Sequence, residues 1–291
     1  MPAERSAQGP PDCDGRDLVN GAALLASTAN VVMQLARPEV GYGVLESTVE
    51  RSQVTRHPLR RLRTTLTYLS VAFLGTDEMR AAYRRQVNRA HASVRSTARS
   101  PVRYSAFDPG LQLWVAACLY RGLVDIQTML HGPVDDATAD AVYHKCQRLG
   151  TTLQVPPRLW PADRAAFERY WASALAETRI DPPVRDYLGR LVTLDYLPWP
   201  VRTALGPANR FLTTGFLSPH FRAQMDLPWT GRDQRRFECL MRMAASASRA
   251  LPPPVSQLPF KACLLDLRVR MTWNRARAAM TRASTPLGGL R

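Results

Sequence analysis

The sequence predicts an all-α fold, a single globular domain of about ten helices. It spans residues 16–283, between a disordered tail at 1–15 and a flexible tail at 284–291. Three observations predict this. Apolar residues recur at steps of three and four, while alternating strand patterns are scarce. Pro and Gly fall between the periodic stretches, where helices start and stop. Neither a long polar linker nor a repeat of fixed period divides the chain.

The elements follow in order. Leu18 to Ala36 reads as an amphipathic helix ended by Pro38. Residues 40–55, with Gly41 and Gly43, read as less regular. His57-Pro58 opens a helix whose Leu59, Leu62, Leu66, Leu69 and Phe73 form one stripe toward the core. Gly75 stops it, and Thr76-Asp77-Glu78 opens the next with a hydroxyl cap and acids in the first turn. That helix is expected to reach Val94. Asp108-Pro109 opens a segment, apolar nearly all round to Leu130, that reads as the central buried helix. Helices are expected at 135–149, 161–177, 182–194, 200–217 and 232–250. After a break at Pro252 to Pro254, residues 264–282 read as a basic amphipathic helix.

Composition limits the function classes. An apolar share of 45% with 22% charged residues fits a folded chain. The net charge of +15 suggests a polyanionic partner, but the 37 arginines are spread along the whole chain, against two lysines, Lys145 and Lys261. A nucleic-acid reader concentrates its basic residues on one short face. Only 56–63 and 268–277 come close, and the first is half committed to the leucine stripe. No specific nucleic-acid partner is therefore expected. Leu264, Leu265, Val269 and Trp273 give the last helix two readings: packing onto the body, which is preferred, or peripheral contact with an acidic membrane through 264–282. Five cysteines without C-x-x-C spacing read as buried free thiols in a reducing, cytoplasmic compartment. The N-terminal residues do not read as a signal peptide, and no run of 18 apolar residues occurs.

The motifs G-x-S-x-G, H-E-x-x-H, G-x-G-x-x-G and the P-loop are absent. His57, His131, His144 and His220 read as structural. His91 differs, because Val87, Ala90 and Val94 place it beside an apolar face. A core imidazole bonded to a carbonyl explains that placement, and so does one axial bond to haem iron. Arg61, Thr65 and Tyr68 share one strip of the preceding helix. They could hold an anionic or dioxygen-type ligand, or simply pair with a neighbouring helix.

From Ala22 to Trp229 the chain resembles the family of the latex-clearing rubber oxygenases and of the fungal oxygenase that shortens a farnesyl side chain in mycophenolic acid biosynthesis. The resemblance rests on Q-L-A-R-P-E-V-G-Y-G-V-L-E-S at 34–47, H-P-L-R-R-L-R-T-T-L-T-Y at 57–68 and L-G-T-D at 74–77. It continues through V-N-R-A-H-A-S-V-R at 87–95, Y-S-A-F-D-P at 104–109, L-W-V-A-A-C-L at 113–119, W-P-A-D-R-A-A-F at 160–167 and M-D-L-P-W at 225–229. The order and spacing of these pieces are what is specific. The resemblance implies an α-helical fold and a b-type haem, with His91 as the proximal iron ligand and Arg61 and Thr65 on the distal side. It also implies a glutamate base, for which Glu46 lies near the corresponding place.

Three departures stand out. The lysine that can cap the iron is replaced by Thr64. Histidines found in many members are replaced by Arg37 and Ala116. The expected function is thus a haem b-dependent oxygenase acting on dioxygen and an apolar, isoprenoid or lipid-like substrate. Its pocket walls would be Leu62, Leu66, Val87 and the 113–130 helix. A non-catalytic haem or lipid carrier is the alternative, and a basic nucleic-acid regulator the remote one.

Overall fold

The computed structural model describes residues 21–47, 58–250, 255 and 257–283. The expected tails and His57 lie outside them. A 3-10 turn at Gly21–Ala26 leads into α1 (Ser27–Leu35) and α2 (Pro38–Leu45). Then come α3 (Pro58–Leu74), α4 (Asp77–His91), α5 (Pro109–His131), α6 (Asp136–Cys146) and α7 (Arg148–Thr151). The chain continues with α8 (Arg164–Ala176), α9 (Pro182–Val192), α10 (Trp199–Phe216), α11 (Pro219–Gln224), α12 (Gly231–Ala250) and α13 (Leu258–Ala283). The fold is all-α; among the described residues the extended pairing is a single bridge, Arg95 to Ser105.

Side-chain caps explain four of the starts. Thr76 accepts from the Met79 amide, Asp108 from those of Gly110 and Leu111, Asp135 from that of Thr138, and Asp163 from that of Ala166. One segment departs from expectation: 38–45 is helical despite its two glycines. A Cβ on Gly41 would stand 2.8 Å from the Leu35 carbonyl and 3.1 Å from Val184, so only glycine lets α2 turn this close to α1 and α9. The helix expected to reach Val94 ends instead at His91.

The central helix α5 packs against α1, α7 and α12, with Trp114 and Cys118 fully buried. The Trp114 indole N–H donates to the Gln34 carbonyl at 3.0 Å, and its ring stacks on Trp171 at 5.2 Å. Burial pushes the Cys118 and Cys146 thiols up. Cys239, expected to be buried, is exposed.

Also on α5, Arg121 bonds Glu168 at 2.7 Å and stands 3.5 Å from Asp125. Burial pushes the Asp125 carboxyl up to about 6. The folded state thus binds this proton more tightly than the unfolded chain, so the associated stability falls as pH rises from 3.8 to about 6. Asp125→Asn should flatten the melting-temperature profile across that window; an unchanged slope refutes the assignment.

A second, smaller core joins α3 and α4 to α13. Val71, Met79, Tyr83, Leu264 and Leu267 are buried together. The Ser70 hydroxyl donates to the Phe260 carbonyl at 3.0 Å, and Arg63 pairs with Asp266 at 2.6 Å. These contacts make α13 antiparallel to α3.

Candidate active site

The site starts from the α3–α4 hairpin. Gly75 stops α3 and Thr76 caps α4, so the two helices run back to back. Their register is fixed by the Tyr83 hydroxyl, which donates to the Thr64 carbonyl at 3.0 Å, and by the Tyr68 and Tyr83 rings 6.2 Å apart. His91 lies eight residues beyond Tyr83, about 12 Å along the helix. That places it at the level of the first turn of α3, which carries Arg61. His91 is half-buried at the C-terminal end of α4, where a helix favours a cationic or hydrogen-bonding group. Thr65 is half-buried one turn further along α3, while the Arg61 side chain lies outside the described part.

The segment after His91 folds back on itself. The Ala106 amide donates to the Val94 carbonyl and the Ser96 amide to the Tyr104 carbonyl, both at 2.9 Å. This return brings Phe107 edge-on to His91, with ring centroids 6.4 Å apart. It also brings two hydroxyls to Glu46: Ser100 donates to Oε2 at 2.6 Å and Tyr104 at 2.7 Å. Burial and the bond to Glu46 push the Tyr104 phenol up to about 12. Gly43, Glu46, Ser93, Arg95, Arg99 and Tyr104 help line an open cavity of about 270 Å³ here. Glu46 therefore shares a cavity with residues two and four positions beyond His91.

The expected pocket walls face different ways. Leu66 and α5 belong to the main core, Val87 packs on the smaller one, and Leu62 is partly exposed. Ala90 is exposed, so the apolar stripe beside His91 is narrower than its spacing suggested. The two positions at which the resemblance implied histidine have other work. Arg37 pairs with Glu177 and lies 3.6 Å from Glu39, tying the start of α2 to the end of α8. Ala116 is packed in the main core. His220 contacts Thr178 at 2.6 Å and Gln224 at 2.8 Å, in keeping with a structural role. Sequence reasoning missed Ser100, Tyr104 and Phe107. Their partners lie across a folded loop, and no spacing rule reports such contacts. Among the described residues, no group of three or more His, Cys, Asp or Glu side chains converges as a metal site.

The latex clearing protein in its closed state superposes with a TM-score of 0.51 at 14% identity, over 88% of this chain and 76% of that one. That likeness is one of fold. The uncharacterized proteins Mb2261 of Mycobacterium bovis and Rv2237 of Mycobacterium tuberculosis are each 53% identical over 252 residues, 87% of this chain and 99% of theirs. A family model described as "ER-bound oxygenase mpaB/B'/Rubber oxygenase, catalytic domain" matches residues 17–246. The match takes in every element from α1 to α11 and most of α12, including the hairpin with Arg61, Thr65 and His91. The chain therefore belongs to the mpaB and rubber oxygenase catalytic-domain family.

Proposed function

We propose that the protein is a haem b-dependent oxygenase that acts on an apolar, isoprenoid or lipid-like substrate. The observation that carries this reading is the placement of His91 at the end of α4, level with the first turn of α3, inside a chain of oxygenase-family sequence. The donor chemistry fits the cofactor. A single imidazole suits haem iron, which takes its other ligands from the macrocycle. The aromatic edge of Phe107 and the half-buried Val94 beside it offer apolar contact.

His91 would hold the iron from one side. Bound haem would supply the site at which dioxygen is activated. Arg61 would offset negative charge developing on the oxygen side, and the Thr65 hydroxyl would donate a hydrogen bond there. Glu46, with Oε2 already accepting two hydroxyls, would take up a proton.

Titration of the purified protein with hemin tests the reading. A Soret band saturating at one haem per chain is expected, and a protein that gains none refutes it. Glu46→Gln should keep that band and lower turnover by about a hundredfold or more, the low end of general-base effects. Undiminished dioxygen uptake in that variant would remove Glu46 from the mechanism. Arg37 and Ala116, where the resemblance implied histidine, have structural work instead, which favours a second reading, a non-catalytic haem or lipid carrier. Dioxygen consumption with any apolar substrate excludes it.

A further inference from the structure

The preferred expectation for the C-terminal helix was packing, and α13 does pack, but with only part of its apolar surface. Leu264 and Leu267 are buried against α3 and α4. Leu258, Leu265, Val269 and Trp273 are 57%, 61%, 47% and 68% exposed. Steps of seven, four and four keep these four within about 80° of the helix circumference. Leu264, grouped with them on spacing, lies on the opposite, packed side. The helix thus carries two apolar strips, and the outer one is left uncovered among the described residues.

We propose that this outer strip is a docking surface that lays α13 flat on an anionic lipid bilayer. Charge complementarity selects this occupant. Lys261 and Arg268 are exposed along one border of the strip. On the other border Arg270 pairs with Asp266 at 2.9 Å, and Arg63 holds the same carboxylate from α3. Asp266 is the only acidic residue in α13, and two arginines neutralise it. Sequence adds Arg275, Arg277 and Arg282 further along the helix. A second copy of the chain would bring the same basic borders against each other and be repelled. A bilayer of anionic lipid answers both features: acyl chains accept the leucines and the valine, the headgroup zone suits an indole, and phosphates face the cations. No described helix is long and apolar enough to cross a membrane, and this arrangement needs none.

The register gives the docking a direction. With Ser70 opposite Phe260 and Arg63 opposite Asp266, Val269 falls at the level of Arg60 and Arg61. The strip thus runs toward the end of the hairpin that carries His91. Docking there would present the candidate site near a lipid phase, where apolar molecules dissolve.

Vesicle flotation of the full chain tests this. Binding is expected to vesicles containing phosphatidylglycerol, weaker at high salt, and much weaker to phosphatidylcholine alone. The combined variant Leu265→Gln, Val269→Gln, Trp273→Gln changes only exposed side chains. It should keep the wild-type melting temperature and bind at least about tenfold more weakly. Lys261→Gln with Arg268→Gln should lower binding by about fivefold per charge. No binding to either vesicle, unchanged binding of the triple variant, or equal binding to the uncharged vesicle overturns the proposal. So does a dimer in solution that the triple variant abolishes, which would make a second copy the occupant. The hemin titration of the triple variant is read separately, so failure of docking and failure of the haem reading are distinguishable.

Discussion

His91→Ala will bind hemin more than about a hundredfold more weakly than the parent chain. Losing an outer partner of a metal ligand already costs about 10–100-fold in metal affinity, and here the ligand itself is removed. The chain should survive the change. His91 is half-buried at the last position of α4, and its ring meets Phe107 only edge-on. Loss of its helix-end interaction costs up to about 1 kcal/mol at such a site. Far-ultraviolet circular dichroism should therefore match the parent while the Soret band is lost. Free imidazole added to the variant should restore part of the band. Arg61→Ala provides the contrast, since it should keep the band and lose turnover. An unchanged spectrum in His91→Ala would show that another group holds the iron, or that none is held.

Trp114→Ala will lower stability by about 3–5 kcal/mol, the range for truncating a buried aromatic residue. The side chain is fully buried, stacks on Trp171 with planes 14° apart, and satisfies the Gln34 carbonyl. Truncation removes the stacking, opens a cavity and leaves an acceptor unpaired inside α1. For a domain of this size, that corresponds to a fall in melting temperature of about 10 °C. Trp114→Phe separates the contributions, because it keeps most of the packing and loses the indole N–H. Its cost should be nearer 1–2 kcal/mol, the hydrogen bond and a small void. Urea denaturation monitored at the backbone reads both. A loss below about 1 kcal/mol in the alanine variant would mean that the α1–α5 contact is not where the fold is held.

The helices were legible because their signals are local. Thr76, Asp108, Asp135 and Asp163 announce starts through side chains that bond amides two or three residues on. The apolar character of 113–130 announced a buried centre in the same way. What escaped was set by distant contacts. The helicity of 38–45 depends on Gly41 meeting Leu35 and Val184, and a glycine pair read locally argues for a loop. Leu264 and Leu265 look alike in sequence; only the position of α3 decides which is inside. At the candidate site, His91 and the Arg61–Thr65 turn could be read from spacing and resemblance. The hydroxyls on Glu46 come from residues 54 and 58 positions away and could not.

The clasp of α13 on α3 also has a consequence in time. Ser70 and Phe260, which meet across it, are 190 residues apart. At about 5–20 residues per second, a ribosome needs roughly 10–40 s to travel between them. Through that interval Val71, Met79 and Tyr83 await the leucines that will cover them. The hairpin carrying Arg61, Thr65 and His91 is thus fully synthesised well before it is clamped, and the nascent chain passes through a stage in which that hairpin is still open on one flank.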